Sequence, residues 1–259
     1  MKIATWNVNS IRTRLGRVRA FLEREQPDVL CLQELKAPED RFPYDAFRSL
    51  GYEAAVHGQK TYNGVAVLSR VGLAEIERGF GDGEDDPQAR MIGARVDGLR
   101  VLSLYVPNGA SVGSEKYAYK LSWMKRLRAY LERARDPQEP LLLCGDFNVA
   151  PEDRDVANPD DWHDSVLCHP EIRAALGEIT AWGLVDTFRL NHPESGHYTW
   201  WDYRRLAFPR GDGLRIDHIF ATEPLARRCV SAAIDRNERK GKQPSDHAPV
   251  SVVLDLEGA

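Results

Sequence analysis

The run Leu141-Leu142-Leu143-Cys144 is unbroken and apolar, and it stops on Gly145-Asp146-Phe147-Asn148. Consecutive apolar residues without alternation suit a central strand covered on both faces. Asp146 and Asn148, two residues apart, then share one face at the end of that strand. An unpaired carboxylate at such a rim is costly to desolvate, so it calls for a cation, a hydrogen-bond donor or a reaction. The same form recurs where Val29–Gln33 runs into Glu34 and where Ile216 precedes Asp217. The fold must therefore present several covered strands whose ends meet.

Apolar, β-rich runs predict strands at Lys2–Val8, Val29–Gln33, Glu53–His57, Gly64–Ser69, Met91–Val96, Arg100–Val106, Leu141–Gly145, Tyr198–Trp201, Arg215–Ala221, Val230–Asp235 and Val250–Leu254. Turn signals such as Asn63-Gly64, Asp97-Gly98 and Gly211-Asp212-Gly213 bound many of them. Helical spacing appears over Arg14–Glu25, over Ser114–Arg135 with Ser114 as a candidate N-cap, and over Pro170–Gly183. Strands outnumber helices and hairpin turns join several of them. That pattern predicts mixed sheets flanked by helices, not a simple parallel βαβ sheet. There is no internal repeat and no low-complexity linker, so residues 1–259 are expected to form a single domain. The long polar segment Pro151–Pro170 is expected to be functional or poorly ordered.

Cys31, Cys144, Cys168 and Cys229 form no CxxC pair, so neither a cysteine-based zinc site nor a disulfide framework is expected. With no secretory signal and no stretch near the roughly 20 apolar residues of a membrane span, a cytoplasmic location is the expectation. The net charge of −4 does not suggest nucleic acid by itself. Basic residues nevertheless cluster at Arg12, Arg14, Arg17 and Arg19, at Arg204, Arg205, Arg210 and Arg215, and over Arg236–Lys242. Local potential, not the total, steers a phosphate-rich substrate, although any one cluster could equally be a solvated face.

Five motifs end candidate strands: Trp6-Asn7-Val8-Asn9, Gln33-Glu34-Leu35-Lys36, Gly145-Asp146-Phe147-Asn148, Leu214-Arg215-Ile216-Asp217-His218 and Pro244-Ser245-Asp246-His247-Ala248-Pro249. Each alone is weak, because a Gly-Asp-x-Asn is as often a turn, and an Asp-His as often a satisfied polar pair. Together they are an oxygen-rich set, which favours Mg²⁺ or Mn²⁺ over zinc. Phosphodiester cleavage needs an oriented water, a neutralised transition state and a stabilised leaving oxygen, and this inventory matches that list.

In order, WNVNS, LQELK, LYVPNG, GDFN, TWWDYR, GLRID and PSDHAP resemble the exonuclease III family, the bacterial branch of the endonuclease/exonuclease/phosphatase superfamily, from residue 2 to residue 254. The resemblance implies an α/β four-layer sandwich of the DNase I-like kind, with two mixed sheets between helices. It implies Mg²⁺ (or Mn²⁺) dependence and action on double-stranded DNA. The expected reactions are cleavage 5′ to abasic sites, removal of 3′ blocking groups and 3′→5′ exonuclease action. It also implies roles by position. Glu34 resembles the principal metal ligand, with Asn7 and Asp246 beside it and Asp146, Asn148 and His247 in the same set. Asp146 and Asn148 look like the residues that activate and orient water. His247 paired to Asp217 looks like the transition-state stabiliser, and Tyr105 resembles a phosphate donor. Asn108 stands where relatives can carry Gln, and its shorter reach puts the same contact in question. Trp200 and Leu214 resemble walls of a lesion-sugar pocket, with core packing the alternative for Trp200. Arg12, Arg14, Gln59 and Lys60 are expected in loops that touch the DNA backbone. The segment around Leu167, Cys168 and His169 should border the pocket, His169 itself reading as an ordinary exposed histidine. A monomer is the expected state. A related phosphoesterase with another substrate and a binding module without catalysis are the competing readings. The arginine-rich loops oppose the first and the full polar set opposes the second.

Overall fold

The computed structural model describes residues 1–84 and 86–256. Among these residues twelve strands form two six-stranded sheets. The strands are β1 (Lys2–Asn7), β2 (Val29–Gln33), β3 (Glu53–His57), β4 (Val65–Ser69), β5 (Ala74–Arg78), β6 (Met91–Val96), β7 (Leu99–Tyr105), β8 (Leu141–Asp146), β9 (Leu184–Asp186), β10 (Asp217–Thr222), β11 (Cys229–Ile234) and β12 (Val250–Leu254). The helices are α1 (Ile11–Glu25), α2 (Tyr44–Arg48), α3 (Glu115–Ala134), α4 (Pro159–Trp162), α5 (Pro170–Thr180), α6 (Thr187–Asn191), α7 (Ala207–Arg210) and α8 (Glu223–Ala226).

The first sheet runs β11-β12-β1-β2-β4-β3 and the second β5-β6-β7-β8-β10-β9. Each has a parallel pair at its centre, β1 with β2 and β7 with β8, and antiparallel pairing elsewhere. A parallel pair needs a crossover, and α1 and α3 supply the two. The halves therefore share one topology, permuted so that the β11–β12 hairpin of the first sheet comes from the far end of the chain. No repeat is visible in the sequence because the two halves share only this pairing order.

Strand alternation and helix stripes produce four layers. Val29, Cys31, Val65 and Val67 meet Val101, Leu142, Cys144 and Ile219 between the sheets. The outer face of the first sheet packs Ala4, Leu30 and Leu32 on Val18, Phe21 and Leu22 of α1. That of the second packs Leu102, Leu104 and Leu143 on Trp123 and Leu127 of α3 and on Ile172 of α5. Ser114 caps α3 as expected, accepting from the Tyr117 N–H at 3.2 Å. Gly145 is required where β8 meets β7, since a Cβ there would lie 2.0 Å from the Leu104 carbonyl oxygen.

Several boundaries differ from expectation. α1 begins at Ile11, not Arg14, capped by Ser10. Tyr198–Trp201 is not a strand; Trp200 makes only isolated bridges to Leu214 and His247. β5 and β9 were not foreseen, because β5 is an exposed edge with little apolar content and β9 has three residues. Segment 151–170 is well organised. Its Asp155 is buried and ion-paired with Arg215 at 2.7 Å and with Arg189, which fastens the loop to the second sheet.

Candidate active site

Asn7 ends β1, Glu34 follows β2, Tyr105 ends β7 and Asp146 ends β8. The carboxyl ends of the two parallel pairs thus point to one place, where open α/β sheets commonly bind ligands. Asp217 starts the antiparallel β10 directly opposite Asp146. His247 enters from the turn before β12, pinned by its bridge to Trp200. Glu34 and Asn148 hold left-handed backbone, φ +50° each, which costs a non-glycine residue about 1 kcal/mol or more. Ser10 donates its N–H to the Glu34 carbonyl at 2.8 Å, and the Asn148 N–H donates to Asp146 Oδ1 at 2.9 Å, so the surroundings hold both turns.

One amide links carboxylates of the two sheets. Asn7 Nδ2 donates to Glu34 Oε1 at 2.9 Å and to Asp146 Oδ2 at 2.8 Å. Burial pushes Asp146 up to about 7; His247 and Asn7 oppose that rise, while Asp217 and Glu34 add to it. Burial would lower His247, but Asp217 and Asp146 outweigh it and lift the imidazole to about 10. His247 Nδ1 donates to Asp217 Oδ2 at 2.8 Å, and its Nε2 lies 3.8 Å from Asp146 Oδ2. Burial, then Glu34 and Asp146, raise Tyr105 well above its ordinary value, so its phenol stays a donor.

Glu34, Asp146 and His247 bring one donor atom each within 4.8 Å of one another. Two hard carboxylates crowded by a third, with Asp217 Oδ1 buried and lacking a hydrogen-bond partner, fit a divalent cation of the Mg²⁺ kind. His247 completes that group, its Nδ1 donating to Asp217 Oδ2 and its Nε2 facing Asp146 Oδ2 at 3.8 Å. Asn7 also faces the carboxylates as a donor, its oxygen taken by the Asn9 N–H at 3.0 Å. Asp246 stands apart, with its oxygens accepting from Asn9 Nδ2 at 2.9 Å and Trp200 Nε1 at 3.0 Å.

A cavity of about 600 Å³ opens over the group, lined among others by Trp162, Val166, Leu167, Trp200, Ile216 and His247. Trp200 is thus a wall, set edge-to-face on Trp162 at 5.7 Å. Leu214 is fully buried and pairs with Trp200 in an isolated bridge, behind the residues that line this cavity. Asn148 Oδ1 accepts from Asn108 Nδ2 at 3.1 Å, at the border with a second cavity of about 530 Å³ that Gln59 also lines. Lys60 is exposed in the loop beside Gln59. Arg12 and Arg14 lie on α1, not in a loop. Arg14 is spent on the Asn9 and Pro244 carbonyls and the Tyr203 hydroxyl, while Arg12 stays exposed. His169 caps α5 and meets the Tyr117 hydroxyl at 2.9 Å, so it is a structural residue.

Four residues escaped the sequence reading. Asn9 steadies Asp246, and Lys36 pairs with Glu34 Oε2 at 2.9 Å; both stood inside motifs already singled out. A lone Trp162 in a polar segment was a usable signal. Lys120 had none: it is buried, pushed down to about 7 by burial, and donates to the carbonyls of Asn108, Asn148 and Val166 beneath the turn.

This fold and site define a DNase I-like α/β hydrolase. The sequence profile of the Endonuclease/Exonuclease/phosphatase family matches residues 4–247. Exodeoxyribonuclease III of Haemophilus influenzae is 38% identical over 96% of this chain and 98% of its own. An AP endonuclease from Archaeoglobus fulgidus is 43% identical, covers 99% of this chain and 100% of its own, and superposes with a TM-score of 0.96. A 3′ phosphatase from Neisseria, solved with a product DNA hairpin, is 41% identical with the same coverage and a TM-score of 0.95. The chain belongs to the endonuclease/exonuclease/phosphatase family, in its exonuclease III branch, and is a nuclease.

Proposed function

We propose that this chain is a Mg²⁺-dependent DNA phosphodiesterase of base-excision repair. It would incise at abasic sites, remove 3′ phosphates and 3′ blocking groups, and trim 3′ ends of double-stranded DNA, working as a cytoplasmic monomer. The observation that carries this reading is the Asp217–His247 pair, an imidazolium set 3.8 Å from a carboxylate of shifted affinity on a cavity floor. The aromatic wall suits an extruded sugar better than a paired base, which favours damaged or terminal nucleotides. The DNA hairpin bound to the Neisseria relative supports a DNA substrate.

Glu34 and Asp146 would hold the cation, which when bound neutralises phosphate charge and orients substrate. Asp146, once ionised, accepts the proton of an attacking water that Asn148 helps to align. His247 stabilises charge developing on the phosphoryl oxygens, fixed in place and kept cationic by Asp217. Tyr105 donates to a phosphate oxygen. Trp162 and Trp200 pack on the sugar and exclude water.

The test compares duplexes bearing an internal abasic site, a 3′ phosphate and a plain 3′ end, with Mg²⁺ and with excess chelator. Cleavage of at least one substrate that chelator abolishes is expected. Failure on all three, or full activity with chelator present, overturns the reading.

A further inference from the structure

We propose that His192, Glu194 and His197 form a second metal site, for a borderline divalent ion of the zinc class. Their donor atoms lie within 4.8 Å of one another. The chain folds back between α6 and Tyr198 through Gly196, whose φ of +92° favours glycine.

The hydrogen bonding fixes the tautomer. His192 Nε2 lies 2.8 Å from the Ala232 carbonyl oxygen on β11, and a carbonyl can only accept. Nε2 therefore carries the proton, and in the neutral ring Nδ1 presents a lone pair. That lone pair faces Glu194 Oε1 at 3.5 Å, while His197 Nε2 lies 2.6 Å from the same oxygen. Two acceptors repel unless a proton or a metal ion lies between them, and the 2.6 Å contact is a hydrogen bond from His197 that metal binding would replace. A ligating histidine whose other N–H donates to a backbone carbonyl is the usual arrangement around zinc.

Packing holds the rings. Phe188 stacks on His192 at 4.5 Å and meets His197 edge-on at 5.3 Å. Arg189 donates to the His192 and Glu194 carbonyls, and Asp155 neutralises its charge. Two imidazoles and one carboxylate suit zinc and leave a fourth position for water. Mg²⁺ prefers an oxygen shell, so the two sites select different ions. Bound metal would staple the loop that leads into Trp200. The cysteines, which gave no zinc signal, take no part.

The test titrates metal-free protein with Co²⁺, followed by visible absorption, and then with Zn²⁺. One equivalent of Co²⁺ should give the intense bands of a four-coordinate, nitrogen-ligated ion, and Zn²⁺ should displace it. An oxygen-ligated six-coordinate ion absorbs far more weakly, so the Glu34–Asp146 site does not mimic the signal. His197→Ala should abolish the bands, and Glu194→Gln, which keeps the side-chain shape, should weaken binding at least about tenfold. Absence of the bands in the parent protein overturns the proposal, as does their persistence at unchanged affinity in folded His197→Ala. If His197→Ala does not fold, unchanged affinity in Glu194→Gln overturns it.

Discussion

Asp146 sits between opposing influences: burial, Asp217 and Glu34 resist its ionisation, and His247 and Asn7 promote it. Asp146→Asn should lower turnover by about 10²-fold or more while leaving DNA affinity largely intact, checked by single-turnover rates beside a binding titration. The same balance sets a pH profile. In the metal-free protein Asp146 should lose its proton near 7 and His247 near 10; bound Mg²⁺ should draw the acid limb of activity below 7, and activity should fall as His247 loses its proton. Asp217→Asn removes the charge that holds His247 cationic. The alkaline limb should move towards neutrality and the rate at pH 8 should drop by about 10²–10³-fold. An unmoved alkaline limb would show that Asp217 does not tune His247. Asn7, Glu34 and Asp146 were legible because each closes an apolar run, whereas Asp217 begins β10 and His247 stands ahead of β12. Their division of labour was less so: His247 turns Nδ1 to Asp217 and Nε2 to Asp146, and spacing cannot report which way a ring faces.

At the level of elements, the buried ion cluster fastens segment 151–170 and β9 to the strand end. Arg215 donates to Asp155 Oδ1 and to Asp186 Oδ2, each at 2.7 Å, and to His218 Nδ1 at 3.0 Å. His218 Nε2 donates to the Val149 carbonyl, and burial together with Arg215 lowers its pKa to about 4. Between about 6.5 and 4 the unfolded chain thus binds a proton that the folded chain refuses. Stability from this histidine is complete above pH 6.5 and lost on acidification, on the order of 3 kcal/mol by pH 4. Thermal melts from pH 7 to pH 4 should show this slope, and a His218→Gln variant should flatten it. Arg215→Ala, which takes a partner from buried Asp155 and half-buried Asp186, should cost about 3 kcal/mol in denaturant unfolding. The central strands were readable as covered apolar runs. β5 was not, since an edge strand needs no apolar face, and Tyr198–Trp201 misled because its aromatic residues serve a cavity wall and not a ladder.

At the scale of the molecule, the proposed function requires a chain of net charge −4 to meet DNA through a local surface. Binding should weaken linearly in log–log form as salt rises, each phosphate contact adding about 0.9 to the slope on duplex. A salt-independent affinity for abasic duplex would point to a small-molecule substrate. Mixed sheets flanked by helices were legible from covered runs and helical stripes, while the four-layer stacking came only with the family resemblance. The permuted duplication was not, because pairing order leaves no periodic mark in the residues. That duplication places Glu34 on one sheet and Asp146 on the other, bridged by a single amide. Beneath it, Gln33 Nε2 donates to Ser103 Oγ at 3.1 Å, and Ser103 Oγ donates to the Leu32 carbonyl at 3.2 Å. These buried bonds work as a locating pin between two plates, and the gap between the carboxylates reports how far one plate has slid. A worn pin, such as Ser103→Ala, would leave both plates whole and the cavity untouched, yet the enzyme would idle at temperatures well below those that melt it.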